Sequence, residues 1–210
     1  MHRPRIVLSD RGIGKGLSAM IKLFVFLGNH GREYRGNRHN VAWQFLESLG
    51  VFPSLSWQRG YKGRWAAFDA PGGRAWFLAP ETYMNLSGDS AAEIARFYKV
   101  EPAEILVVHD ELELPFGFFG LKDGGGLGGH NGLRSMKERF GTADFKRLRF
   151  GIGRPGHDDI SGWVLSDFSS DEREKLDCSV FPRAETALMA CLELGFGEAA
   201  KDRQKVNALA

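Results

Sequence analysis

Seven residues from Ile21 to Leu27 are apolar apart from Lys22, and a run that short with no alternation reads as a β-strand covered on both faces. Ile105 to Val108 repeats the pattern, and between the two lie segments of helical period. Asn40 is placed to cap a helix whose apolar positions Val41, Phe45, Leu46 and Leu49 share one face, with Gly50 as its stop. Trp65 to Phe68 and Arg74 to Leu78, joined through Asp-Ala-Pro-Gly-Gly, read as a hairpin. Further on come a helix over 87–98, strands over 116–121 and 147–152, and a helix over 130–140. A Ser169/Glu172 capping box then precedes a helical C-terminal third. The order strand, helix, hairpin, helix, strand predicts a single α/β domain: a twisted, mixed β-sheet flanked by helices on both faces.

With 210 residues, 43% of them apolar, the chain suits one domain with a real core. Residues 1–19 are basic and glycine-punctuated without the apolar stretch of a secretory signal, and read as a disordered extension ahead of a domain over 20–210. No run of about 18 apolar residues occurs, so a membrane span is not expected. Cys178 and Cys191 lack the spacing of a redox pair or a zinc site. They read as half-buried apolar side chains in a reducing, cytoplasmic setting.

The net charge of +2 hides an uneven distribution. Residues 21–80 carry eight basic and three acidic groups, 81–120 two and eight, and 121–154 eight and three again. Two basic segments that meet in space would form a phosphate-facing patch, whereas apart they are ordinary solvated charge.

In open α/β sheets, ligands gather outside the carboxyl ends of the parallel strands. Asn29 follows the first apolar run and Asp110 the second, so parallel strands would deliver both to one edge. His39 stands at the entrance to the first helix, where a loop of about ten residues can fold it back over that edge. A neutral imidazole is suited to take a proton from water at neutral pH, and a neighbouring carboxylate would fix its tautomer. Separately, His39 is an ordinary helix-entry residue and Asp110 an ordinary turn former. Together beside Asn29 they suggest a base, His39, oriented by Asp110. Asn29, Asn85 and Asn131 occupy turn-like sequence, where tolerance of left-handed backbone would account for them. As functional groups they offer uncharged donors to a developing oxyanion. No covalent nucleophile is signalled: G-x-S-x-G is absent, and neither cysteine has a histidine nearby in sequence.

Gly28-Asn29-x-Gly31, Tyr34, Arg38-His39-Asn40, Pro80-x-Thr82-Tyr83-Met84-Asn85-x-Ser87-Gly88, His109-Asp110-Glu111-Leu112 and the glycine loop from Gly124 to His130-Asn131-Gly132-Leu133 resemble, in order and spacing, the bacterial-type peptidyl-tRNA hydrolases. The resemblance spans about residues 20–205. It implies hydrolysis of the ester between a peptide and tRNA without metal or cofactor; a monomer with no obligate protein partner and no membrane is the default expectation. By that resemblance His39 is the base, Asp110 its stabiliser and Asn29 the sensor of the blocked amino group. Tyr34, Tyr83, Asn85, His130 and Asn131 are substrate contacts, and Lys122 with Arg149 clamps the tRNA 5′-phosphate. The chain departs from the pattern at His30, where proline is usual, at Phe26 in place of glycine, and at Ala79 and Glu81. A Phe26 ring in the crevice would crowd the substrate; turned inward it is core.

Two other readings compete. Gly124-x-Gly126-x-x-Gly129 and Gly151-x-Gly153-x-x-Gly156 both match the bare dinucleotide fingerprint. The first follows Lys122-Asp123 rather than an apolar strand end, and the second does not open an amphipathic helix. His109-Asp110 and His157-Asp158-Asp159 resemble metal ligands only as adjacent residues on turns, which rarely converge. A non-catalytic RNA-binding relative would be free to lose His39, Asp110 or Asn29, and all three are present. Phosphate contacts by the basic segments predict tRNA binding that weakens steeply as salt rises; affinity indifferent to salt in a filter-binding titration would argue against them.

Overall fold

Both faces of β1 (Leu23–Phe26) are covered, as its apolar run requires. The computed structural model describes residues 20–156 and 158–210. The proposed extension over 1–19, and His157, lie outside them. Leu23, Val25 and Leu27 enter one apolar layer and Phe24 and Phe26 the opposite one. Phe26 packs inward against Phe45 and Phe77, with ring centroids 6.5 and 5.6 Å away, so it belongs to the core and leaves the crevice free.

After β1 the chain forms α1 (Val41–Ser48), β2 (Gln58–Gly60), β3 (Gly63–Ala70), β4 (Gly73–Pro80), α2 (Ser87–Tyr98) and β5 (Ile105–Glu111). It continues through β6 (Phe118–Asp123), α3 (Asn131–Phe140), β7 (Lys146–Gly151), α4 (Ile160–Val164), α5 (Ser170–Lys175), α6 (Phe181–Leu194), α7 (Phe196–Ala200) and β8 (Val206–Asn207). Eight strands make one mixed sheet in the order β2-β3-β4-β1-β5-β7-β6-β8. The inner strands β4, β1, β5 and β7 run parallel, and antiparallel strands finish each side. Side chains of α1 and α6 fill one layer, those of α2 and α3 the other. Because β1 and β5 are parallel neighbours, Asn29 and Asp110 reach the same sheet edge.

Three details differ from the sequence reading. The hairpin strands run on through Asp69↔Arg74 and Ala70↔Gly73, where an ion pair at 2.8 Å holds the exposed end, so the turn is tighter than five residues. Asn40 stands at the head of α1, but its side chain makes no capping bond there and binds Asn29 instead. Cys191 is wholly buried, which pushes its thiol up to about 12, whereas Cys178 is exposed.

Helices α2 and α3 touch at Gly88, where an added Cβ would lie 2.2 Å from the Ser135 carbonyl oxygen, and the Gly88 N–H donates to Ser135 Oγ at 2.9 Å. Gly88→Ala is therefore expected to destabilise the fold by about 1–3 kcal/mol, read as a lower urea midpoint at unchanged slope.

Candidate active site

The loop after β1 is tied down by reciprocal carboxamide bonds. Asn40 Oδ1 accepts from the Asn29 N–H at 2.8 Å, and Asn40 Nδ2 donates to the Asn29 carbonyl at 2.9 Å. This contact closes the excursion between strand end and helix start, and so places the short helical turn Arg38–Asn40 over the sheet edge. Asn29 Oδ1 accepts the Met84 N–H at 2.9 Å, which fixes the amide orientation and leaves Nδ2 to donate. The same bond holds the turn bearing Tyr83 and Asn85, both exposed, beside Asn29.

The structure brings His39 and Asp110 together: His39 Nδ1 lies 2.8 Å from Asp110 Oδ1, with both side chains buried. A second ring meets the same oxygen, His130 Nε2 at 2.9 Å. His130 is also the N-cap of α3, its Nδ1 accepting from the Gly132 and Leu133 N–H groups. A ring whose Nδ1 accepts must carry its proton on Nε2, so His130 donates to Asp110. His130, a substrate contact by the resemblance, lines the cavity beside this pair and in addition supports the carboxylate. The helix-cap signal that would have shown this is easily missed, because histidine is not a usual N-cap residue.

Burial alone would raise the Asp110 carboxyl, but His39 and His130 outweigh it and hold the group well below the usual carboxylate range. Burial likewise opposes protonation of His39, yet the Asp110 charge and hydrogen bond overcome it and leave the imidazole above its ordinary value. Since Nδ1 faces the carboxylate, Nε2 is the nitrogen left to exchange a proton. His109 behaves oppositely. Its complete burial, then the nearby His130, push it well below the usual range, and its Nδ1 lies 2.6 Å from the Asp110 carbonyl oxygen.

These groups line a cavity of about 270 Å³, closed by the glycine loop through Gly128 and Gly129 and by α4 through Ile160, Ser161 and Val164. The α4 wall carried no sequence signal, because five residues are too few for a readable period. Asn131 stands exposed on the rim. Tyr34 is half-buried in the loop after β1, and neither it nor Asn29, Tyr83 or Asn85 is among the residues lining this cavity. Lys122 and Arg149 project from adjacent strands into a separate cleft of about 530 Å³ that Lys205 also borders. Arg149 donates to the Gln204 carbonyl at 3.1 Å and lies 3.6 Å from Glu111, a wall residue of the first cavity.

Donor atoms of His39, Asp110 and His130 lie within 4.8 Å of one another, close enough for metal ligands. Both ring nitrogens, however, are engaged on one carboxylate oxygen, and a cation there would have to displace their protons. The glycine loop does join a strand to a helix, but β6 is antiparallel to both its neighbours, unlike the parallel unit that holds a dinucleotide.

Residues 23–209 match the family model described as Peptidyl-tRNA hydrolase. The peptidyl-tRNA hydrolase of Treponema pallidum is 54% identical over 155 residues, covering 70% of this chain and 76% of that protein. The Delftia acidovorans enzyme of the same name is 46% identical over 164 residues, covering 77% and 79%. A crystal structure of peptidyl-tRNA hydrolase from Acinetobacter baumannii superposes with a TM-score of 0.81 at 34% identity, over 91% of this chain and 99% of that one.

The electrostatics predict two distinct histidine titrations by NMR. His39 should protonate above the ordinary value of about 6.5 and move down in Asp110→Asn, while His109 stays neutral well below it.

Proposed function

Since the chain belongs to the peptidyl-tRNA hydrolase family, we propose that it cleaves the ester joining a peptide, or an N-blocked aminoacyl group, to tRNA, with His39 as the base that activates water. The observation that carries this reading is the 2.8 Å contact between His39 Nδ1 and the buried Asp110 carboxylate, which leaves Nε2 to receive a proton. In the proposed step Nε2 takes one proton from water while the oxygen attacks the ester carbonyl. The tetrahedral intermediate then collapses, expelling the ribose oxygen, which takes the proton back from His39. Asp110 stabilises the imidazolium between the two events and is not itself protonated. The products are free tRNA and the peptide's carboxylic acid, which loses its proton to solvent as the carboxylate.

Asn29 Nδ2 and the Asn131 amide are proposed donors to the substrate carbonyls and the developing oxyanion. The anchored orientation of Asn29 supports its part, because a donor fixed in advance needs no reorganisation during reaction. Tyr34, Tyr83 and Asn85 are proposed contacts for the peptide and acceptor end, and Lys122 with Arg149 for a terminal phosphate. Two cations projecting into one cleft support the last assignment. Among the described residues no helix is long and apolar enough to cross a membrane. Action as a cytoplasmic monomer without cofactor completes the proposal.

Hydrolysis of N-acetyl-aminoacyl-tRNA should fall by about 10²–10⁴-fold in His39→Ala, and the wild-type protein should spare the free aminoacyl form. Because the base must be unprotonated, kcat/KM should decline as pH falls through the raised His39 value. Undiminished turnover by the alanine variant would remove His39 from the mechanism.

A further inference from the structure

Immediately before His39, the side chain of Arg38 is only 6% exposed. Its Nη1 and Nη2 donate to the two carboxylate oxygens of Glu172 at 2.9 and 2.8 Å, and Nε donates to Ser166 Oγ at 3.3 Å. The guanidinium lies 3.9 Å from the Trp163 ring centroid and 4.8 Å from that of Phe168. The backbones join as well: the Arg38 N–H donates to the Ser166 carbonyl at 2.9 Å, and Asn37 forms an isolated antiparallel bridge with Asp167. Trp163 belongs to α4, whose Ile160, Ser161 and Val164 form one wall of the catalytic cavity. Glu172 belongs to α5, in a capping box with Ser169.

Burying an ion pair is a poor way to gain stability, since an apolar pair of similar volume often does as well. A two-pronged guanidinium–carboxylate contact between ring faces does something an apolar pair cannot: it fixes direction. We propose that Arg38 is a positioning residue, which through Glu172 and Trp163 holds His39 in register with Asp110 and makes the α4 wall and the base parts of one scaffold. This rests on the reading of His39 as the base. Arg38 sits in the same single helical turn as His39, so a change in its backbone direction transmits to the imidazole with little loss. A shift of about 1 Å in a reacting group can cost a hundredfold in rate.

The test uses the full chain with N-acetyl-aminoacyl-tRNA, measuring kcat and KM from pH 5 to 9 alongside thermal melts. Arg38→Lys keeps the charge but loses the fork. Glu172→Gln keeps the capping geometry but loses the ion pair. Arg38→Lys should lower kcat roughly ten- to a hundredfold, with KM within about twofold. Its acid limb should move down toward the ordinary histidine value as the contact with Asp110 loosens. Glu172→Gln should lower kcat in the same direction, and the double variant should be no worse than the poorer single. Leu188→Ala, a core truncation on the buried face of α6, should lower the melting temperature and leave kcat intact.

Unchanged kcat and acid limb in both single variants, with only the melting temperature lowered, would reduce the pair to a structural tie and overturn the proposal. An equal kcat loss in Leu188→Ala would overturn it too. His39→Ala separates the two levels. If that variant is inactive while Arg38→Lys is normal, the positioning role alone fails; if it is active, the base reading fails and this inference with it.

Discussion

One oxygen of Asp110 receives two ring N–H groups, and the arrangement of the molecule around the site answers to that contact. A carboxylate removed from water must be met by donors or it will not stay charged. Here one donor comes from the loop after β1 and the other from the head of α3, so two segments distant in sequence are fastened to the end of β5. The two rings divide the work. His130 bonds through both nitrogens, one to Asp110 and one to the amides of α3, whereas His39 bonds through one and leaves Nε2 for the base role proposed for it.

The fold explains why that division is available. Parallel pairing of β1 with β5 puts Asn29 and Asp110 at one edge, and the paired bonds of the Asn40 carboxamide to the Asn29 backbone return the intervening loop to it. Family membership and the close superposition on a solved relative agree with this layout. Phe26, one of the positions read as departing from the family pattern, is a ring absorbed by the core against Phe45 and Phe77 without reaching the crevice.

Much of this was legible in the residues because it follows from period and burial. An apolar run without alternation had to be a covered strand, and the helix over 87–98 showed its face through Ala91, Ile94 and Ala95. Where no period exists, nothing could be read. The edge strand β2 is Gln-Arg-Gly, polar throughout, and its turn into β3 uses Tyr61 and Lys62 at φ of 52° and 54° in place of the Asn-Gly that signals such hairpins. Asn40 looked like a cap by its type, but its side chain had a more distant partner. Arg38 showed as a motif letter only, since its burial against Glu172, 134 residues away, is a tertiary fact.

The walls of the cavity are anchored in different ways. At Gly88 the backbone of α2 lies against that of α3, its N–H bonded to Ser135 Oγ, so the turn that carries Asn85 is fastened to the helix that begins at Asn131, a residue of one wall. On another wall the five-residue α4 is anchored to the segment bearing His39, through the Arg38 guanidinium against Trp163 and the Arg38 N–H bond to the Ser166 carbonyl. Each wall is thus a joint between stretches far apart in sequence, so the cavity exists only once the chain has closed on itself at both.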